Sequence, residues 1–144
     1  MSDKKLMVSM GGLLATMVAA VYFVIQLNGQ APTQTGDFTN AATAEVKDAQ
    51  GQVILRGSFE QADEEDDDIE RKALLKPAGS DTDAAGEAEV EYATSGAAEQ
   101  EVEFAVRHVD PDATYTFVID GRDVATAKAD ARGRAALEWR VRTK

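Results

Sequence analysis

The chain has 144 residues, no Cys, and 26 acidic against 15 Lys or Arg residues, for a formal net charge of −11. This composition excludes disulfides, thiol chemistry and thiolate metal sites, and like-charge repulsion makes nucleic acid an unfavourable partner. With the apolar N-terminal stretch set aside, about 115 residues remain, which is room for one domain with a modest core.

Residues 1–5 carry Lys4 and Lys5, and Leu6 to Leu27 follow as LMVSMGGLLATMVAAVYFVIQL without a charge. As a helix this segment is roughly 33 Å long, matching a bilayer core of about 30 Å, so 6–27 is predicted to be a transmembrane helix. A cleaved signal peptide competes with that reading. Its apolar region is normally shorter, about 7 to 15 residues, and the small-residue site Gly29-Gln30-Ala31 is followed by Pro32, a poor residue after a scissile bond. No Lys or Arg follows the span until Lys47, so the positive-inside rule leaves the N-terminus in the cytoplasm and exports the rest to the periplasmic or extracellular side. Gly11, Ala15 and Ala19 recur every fourth residue, beside a parallel stripe of Gly12, Thr16 and Ala20. One helix face is therefore expected to be flat enough for a partner helix to dock, although small residues are common in membrane helices.

Residues 28–40, NGQAPTQTGDFTN, read as a polar linker, and the exported domain is expected to occupy 41–144. From there the hydrophobic period is two. A first strand is predicted near Ala42 to Lys47; the next, over 52–59, has Val53, Leu55 and Phe59 on one face, and the one over 70–76 has Ala73 and Leu75. Ala88, Val90 and Tyr92 then alternate with Glu87, Glu89 and Glu91, and Val102, Phe104 and Val106 alternate with Glu101, Glu103 and Arg107. Tyr115, Phe117 and Ile119 define a strand over 113–119. Leu137, Trp139 and Val141 define one over 134–142, with Trp139 expected beside Phe104 and Tyr115. A weaker strand lies between these two and presents either Ala125, Ala127 and Ala129 or Val124 and Thr126.

Asp-Ala-x-Gly occurs at Asp48 to Gly51, Asp83 to Gly86 and Asp130 to Gly133. Asp can accept from backbone amides two residues on and Gly can take the left-handed position, so each copy is predicted to be a hairpin turn with a bulge; a decayed duplication is the alternative. Asp120-Gly121 has the signature of a type I′ turn, and Asp110-Pro111-Asp112 marks another turn. Strands with one apolar face must bury it on a second sheet or close on themselves. The expected fold is all-β: a small antiparallel β-sandwich of about eight strands, favoured over a barrel. It resembles immunoglobulin domains in architecture alone, since their Cys and Trp landmarks are absent.

No catalytic constellation is visible. His108 is the one histidine, near Asp110 and Asp112, and reads as a turn residue rather than a metal or acid/base group. No Gly-x-Ser-x-Gly elbow, phosphate loop or dinucleotide fingerprint occurs, so an enzyme is not expected. The run Asp63-Glu64-Glu65-Asp66-Asp67-Asp68 reads first as a solvated loop. Its hard oxygens also make Asp63, Glu65, Asp66 and Asp68 a candidate Ca²⁺ site, and a third use is an acidic lip for a basic partner. No other cofactor is implied. The expected function is a non-catalytic, membrane-anchored accessory subunit of a membrane protein complex; the alternative is a tethered, Ca²⁺-dependent binding or adhesion module.

Overall fold

The computed structural model describes residues 32–60, 63–65 and 67–143. The predicted span, with Gly11, Gly12, Ala15 and Ala19, lies outside them, and no helix among the described residues is long and apolar enough to cross a membrane.

Alternation of apolar and polar side chains produces strands, as the sequence requires: β1 (Thr43–Lys47), β2 (Val53–Ser58), β3 (Asp63–Glu65), β4 (Asp68–Pro77), β5 (Ala85–Ala93), β6 (Gly96–Arg107), β7 (Thr114–Ile119), β8 (Arg122–Lys128) and β9 (Ala135–Arg142). Eight of them follow one antiparallel path, β8-β7-β1-β2-β4-β5-β6-β9, and short β3 pairs with β4 beside it. The path curls into a single, nearly closed, barrel-like sheet rather than the expected sandwich of two separate sheets.

Two features bring about the closure. First, β4 serves both halves of the path. Asp68 to Leu75 pair with β5, while Lys76 and Pro77 reach Arg56 and Leu55 of β2. Gly57 permits this corner, because a Cβ there would stand 2.3 Å from the Leu74 carbonyl oxygen. Second, residues 33–36 bridge the path's two ends. Thr33 N–H donates to the Val124 carbonyl of β8 (2.8 Å), Gly36 N–H donates to the Arg142 carbonyl of β9 (3.0 Å), and Arg142 N–H donates to the Gln34 carbonyl (3.0 Å). Beyond this clasp Phe38 enters the core. Its N–H donates to Gln100 Oε1 (2.8 Å), and Gln100, only 1% exposed, gives its own amide protons to Asp37 Oδ1 and the Ala97 carbonyl. The latter part of the stretch that reads as a linker is thus a structural element of the domain.

The interior is filled by side chains. Phe104 stacks on Phe117 at 4.6 Å between centroids and lies nearly parallel to Trp139 at 6.3 Å. Buried alanines at 44, 73, 88, 127 and 135 accommodate these rings, the mixture of large and small that a narrow barrel needs. Tyr115 is buried in the same core as Trp139, and its hydroxyl accepts from Asp110 N–H at 2.9 Å. On β8 a bulge settles which face is dry. Phe117 pairs with Ala125 and Val118 with Asp123, so Val124 is the extra residue and both Val124 and Ala125 are buried.

Two of the three Asp-Ala-x-Gly segments are turns with the same hydrogen bonds, but only Asp48 to Gly51 is the predicted hairpin, joining paired β1 and β2; Asp130 to Gly133 links β8 and β9, which stand at opposite ends of the path. Asp48 accepts at Oδ1 from Gln50 and Gln52 N–H and at its carbonyl from Gly51 N–H, and Gly51 has φ 79°. Asp130 accepts at Oδ1 from Arg132 and Arg134 N–H and at its carbonyl from Gly133 N–H, and Gly133 has φ 71°. The third is not a turn. Gly86 lies inside β5 opposite Val106, without positive φ, where a Cβ would stand 2.6 Å from the Ala105 carbonyl oxygen. Asp83 lies before the strand and donates its N–H to Asp81 Oδ1. The chain bends upstream at Gly79 and Ser80 and again at Thr82 and Asp83, so Gly86 is already inside the strand. Asp120-Gly121 forms the type I′ turn, with φ 49° and 78°.

The two working turns differ in their surroundings. A Cβ at Gly51 would meet nothing within 4 Å, whereas one at Gly133 would stand 2.3 Å from the Val109 carbonyl oxygen. Gly51→Val is therefore expected to cost about 1–2 kcal/mol through its left-handed backbone, and Gly133→Val about 1–3 kcal/mol more through the clash. Thermal midpoints of the two variants check the ranking; equal midpoints would remove the clash from the account.

Candidate functional site

The most distinctive chemistry of the described residues is on the outer face of β4, β5, β6 and β9. Each of these strands turns its apolar residues inward, so the alternate glutamates all face out, and the register sets them in rows. In one row Glu70, Glu91, Glu101 and Arg140 are successive cross-strand partners; in the next, Lys72, Glu89, Glu103 and Glu138. Directly opposed like charges destabilise a sheet, and both rows contain them.

Two cations offset part of the repulsion. Lys72 Nζ pairs with Glu70 and lies 3.6 Å from Glu89 Oε2, while Arg140 lies 3.4 Å from Glu99 Oε1 and 3.6 Å from Glu101 Oε2. The centre of the face has neither. Glu103 Oε1 and Glu138 Oε2 are out of water without a hydrogen-bond partner. Burial, reinforced by the Glu70 charge and only partly offset by Lys72, pushes the Glu89 carboxyl up to about 7. Burial together with the neighbouring Glu101 does the same to Glu138, also to about 7. Glu91 and Glu103 are raised by burial first and then by Glu101 and Glu87 respectively, whereas the hydrogen bond to Glu70 lifts Lys72 to about 12.

Carboxylate oxygens of Glu70, Glu89 and Glu91 all lie within 4.8 Å of one another, which is metal-ligand spacing. The Lys72 ammonium already engages two of the three, so a divalent cation would have to displace it. An open groove of about 430 Å³ continues the face toward the end of β5 and β6, lined by Asp68, Glu91, Tyr92, Glu99, Glu101 and Arg140. The arrangement is suited to attracting cations and basic surfaces.

The acidic run is not simply a loop. β3 pairs Asp63 with Glu70, Glu64 with Ile69 and Glu65 with Asp68, so its backbone continues the Glu70 row by one strand. Asp66 lies outside the described residues, and Asp68, on β4, is exposed. The structure does not bring Asp68 into the Glu70, Glu89 and Glu91 group. His108 sits in a turn with φ 57°, its Nδ1 3.2 Å from the Asp83 carbonyl oxygen. The glutamates of the face are visible in the sequence as the wet side of two strands. Counting back along the β5–β6 hairpin from its Ala93–Gly96 pair would put Glu89 opposite Gln100; an irregularity between Tyr92 and Ala93 shifts the register so that it faces Glu103, and nothing local places β9 beside β6.

Comparisons with protein-family models, curated proteins and solved structures find no match to this chain.

Proposed function

We propose that this chain is a non-catalytic, single-pass membrane-anchored accessory subunit, with its N-terminus in the cytoplasm and its barrel on the periplasmic or extracellular side. The uncharged stretch 6–27 is the observation that carries the reading. The clasp adds to it. Thr33 is hydrogen-bonded into the barrel, and the six steps from Leu27 to Thr33 can span at most about 22 Å, so an anchor ending at Leu27 holds the domain near the membrane surface. That geometry suits a subunit packed on the outer side of a complex better than a module on a long stalk. Docking would use the stripe of Gly11, Ala15 and Ala19, and the acidic face would meet a basic surface of the partner.

Ala15→Leu is expected to push the span away from its partner helix, whereas Val18→Leu, off that stripe, is expected to be tolerated. Affinity purification of the full chain from native membranes, followed by native mass measurement, should lose a stoichiometric partner in the first variant only. The acidic run from Asp63 to Asp68 is the ground for a second reading, the tethered Ca²⁺-dependent module. Recovery of no partner from the parent, together with a saturable rise in melting temperature selective for Ca²⁺ over Mg²⁺, would establish that reading instead.

A further inference from the structure

We propose that the outer face of β4, β5, β6 and β9 is a built-in pH sensor, gaining protons and stability together as the medium turns from mildly alkaline to mildly acidic. The geometry comes first. Glu103 of β6 is the direct partner of Glu89 on β5 and of Glu138 on β9, three carboxyl groups in a row with Lys72 at the far end. From β4 the face receives Glu70, Lys72 and, at its two ends, Asp68 and Lys76; from β5, Glu87, Glu89 and Glu91. From β6 it receives Glu99, Glu101, Glu103 and Arg107, and from β9, Glu138, Arg140 and Arg142. Arg140 is drawn to Glu99 and Glu101, and Lys72 to Glu70 and Glu89, so among the described residues no ion pair reaches Glu103 or Glu138.

An ionised carboxylate with an oxygen shut away from water and from every donor is disfavoured. A proton there removes one like charge from the row and supplies the missing donor, which a neighbouring carboxylate can accept. The groups interact strongly enough that the protons belong to the row as much as to single residues.

The sign follows from linkage. Glu89 and Glu138 are raised to about 7 in the fold, against an ordinary glutamate value of about 4.3 in an unfolded chain. Their contribution is therefore fully present below the unfolded value and is lost as pH rises through about 7. Asp37 and Asp130 work in the opposite sense. The former is held low by hydrogen bonds from Thr39, the latter by backbone N–H groups of Arg134 and Arg132, and their contributions disappear only in stronger acid. Between pH 5.5 and 8 the acidic face dominates.

The proposal concerns the face itself and stands whether or not the span docks to a complex. The test is a carboxyl-carbon NMR titration of the full chain in detergent micelles, with melting temperatures at pH 5.5 and 8 at one salt concentration. Two glutamate carboxyls should titrate near neutrality, and the melting temperature should be higher at pH 5.5 by on the order of 5 °C. Glu103→Gln should lower both anomalous midpoints and shrink the melting difference, while Glu60→Gln, an exposed residue outside the face, should leave both unchanged. All glutamates titrating in the ordinary range, or a melting difference equally reduced by Glu60→Gln, would overturn the proposal. The parent titration decides even if Glu103→Gln does not fold.

Discussion

Trp139→Ala is expected to destabilise the domain by about 3–5 kcal/mol, a large part of what holds a protein of this size together. The indole is only 3% exposed, its ring lies nearly parallel to Phe104, and Phe104 in turn stacks on Phe117, so truncation opens a cavity at one end of a three-ring column. A second loss accompanies the cavity. Trp139 Nε1 donates to the Thr33 carbonyl at 3.1 Å, so the same residue that fills the barrel also holds the clasp. Trp139→Phe separates the two effects: it keeps an aromatic ring in the column and removes the hydrogen bond, for an expected cost nearer 1 kcal/mol. Equilibrium denaturation checks both variants. Because the chain has one Trp, native emission reports this site alone and should be blue-shifted. A Trp139→Ala midpoint within experimental error of the parent would mean that the column does not carry the core.

The strands could be read from the sequence because each has one dry face. β1, β2, β4 to β7 and β9 lie where a period of two places them, and Leu55, Ala73, Val90, Phe104, Phe117 and Leu137 point inward as expected. Barrel closure could not be read. It depends on two residue pairs between β2 and β4, and on a polar stretch whose Pro, Thr and Gly content reads as linker. Gln100 illustrates the difficulty: it lies on a strand whose apolar residues mark the core, yet it is the buried partner of a backbone amide 62 residues away. Gly86 illustrates another. The Asp-Ala-x-Gly string at 83–86 runs into β5 instead of turning back, because the chain has already bent at Gly79, Ser80, Thr82 and Asp83. The acidic face was half legible, since its glutamates alternate visibly along β5 and β6, but their concentration depends on a non-local neighbour, β9.

A fragment beginning at residue 39 is expected to be less stable than one beginning at residue 32 by at least about 3–5 kcal/mol, the cost of losing a buried Phe alone. Phe38 is 3% exposed and carries the Arg122 guanidinium 5.4 Å from its ring centre, and its removal leaves the Gln100 amide without its partners at Phe38 and Asp37. Unpaired polar groups in a core are costly in their own right. The shorter fragment also loses the bonds from Thr33 and Gly36, so the facing edges of β8 and β9 are bare at the same time. Bare edges are templates for pairing with another chain. The shorter fragment should therefore show a lower denaturant midpoint and concentration-dependent association in native mass measurements, while the longer one remains monomeric. Adding a peptide of residues 32–38 should restore part of the lost stability, because every bond of the clasp is made by that segment. Matching midpoints and a monomeric short fragment would show that the barrel closes without its clasp, and that residues 28–40 are the simple tether their composition suggests.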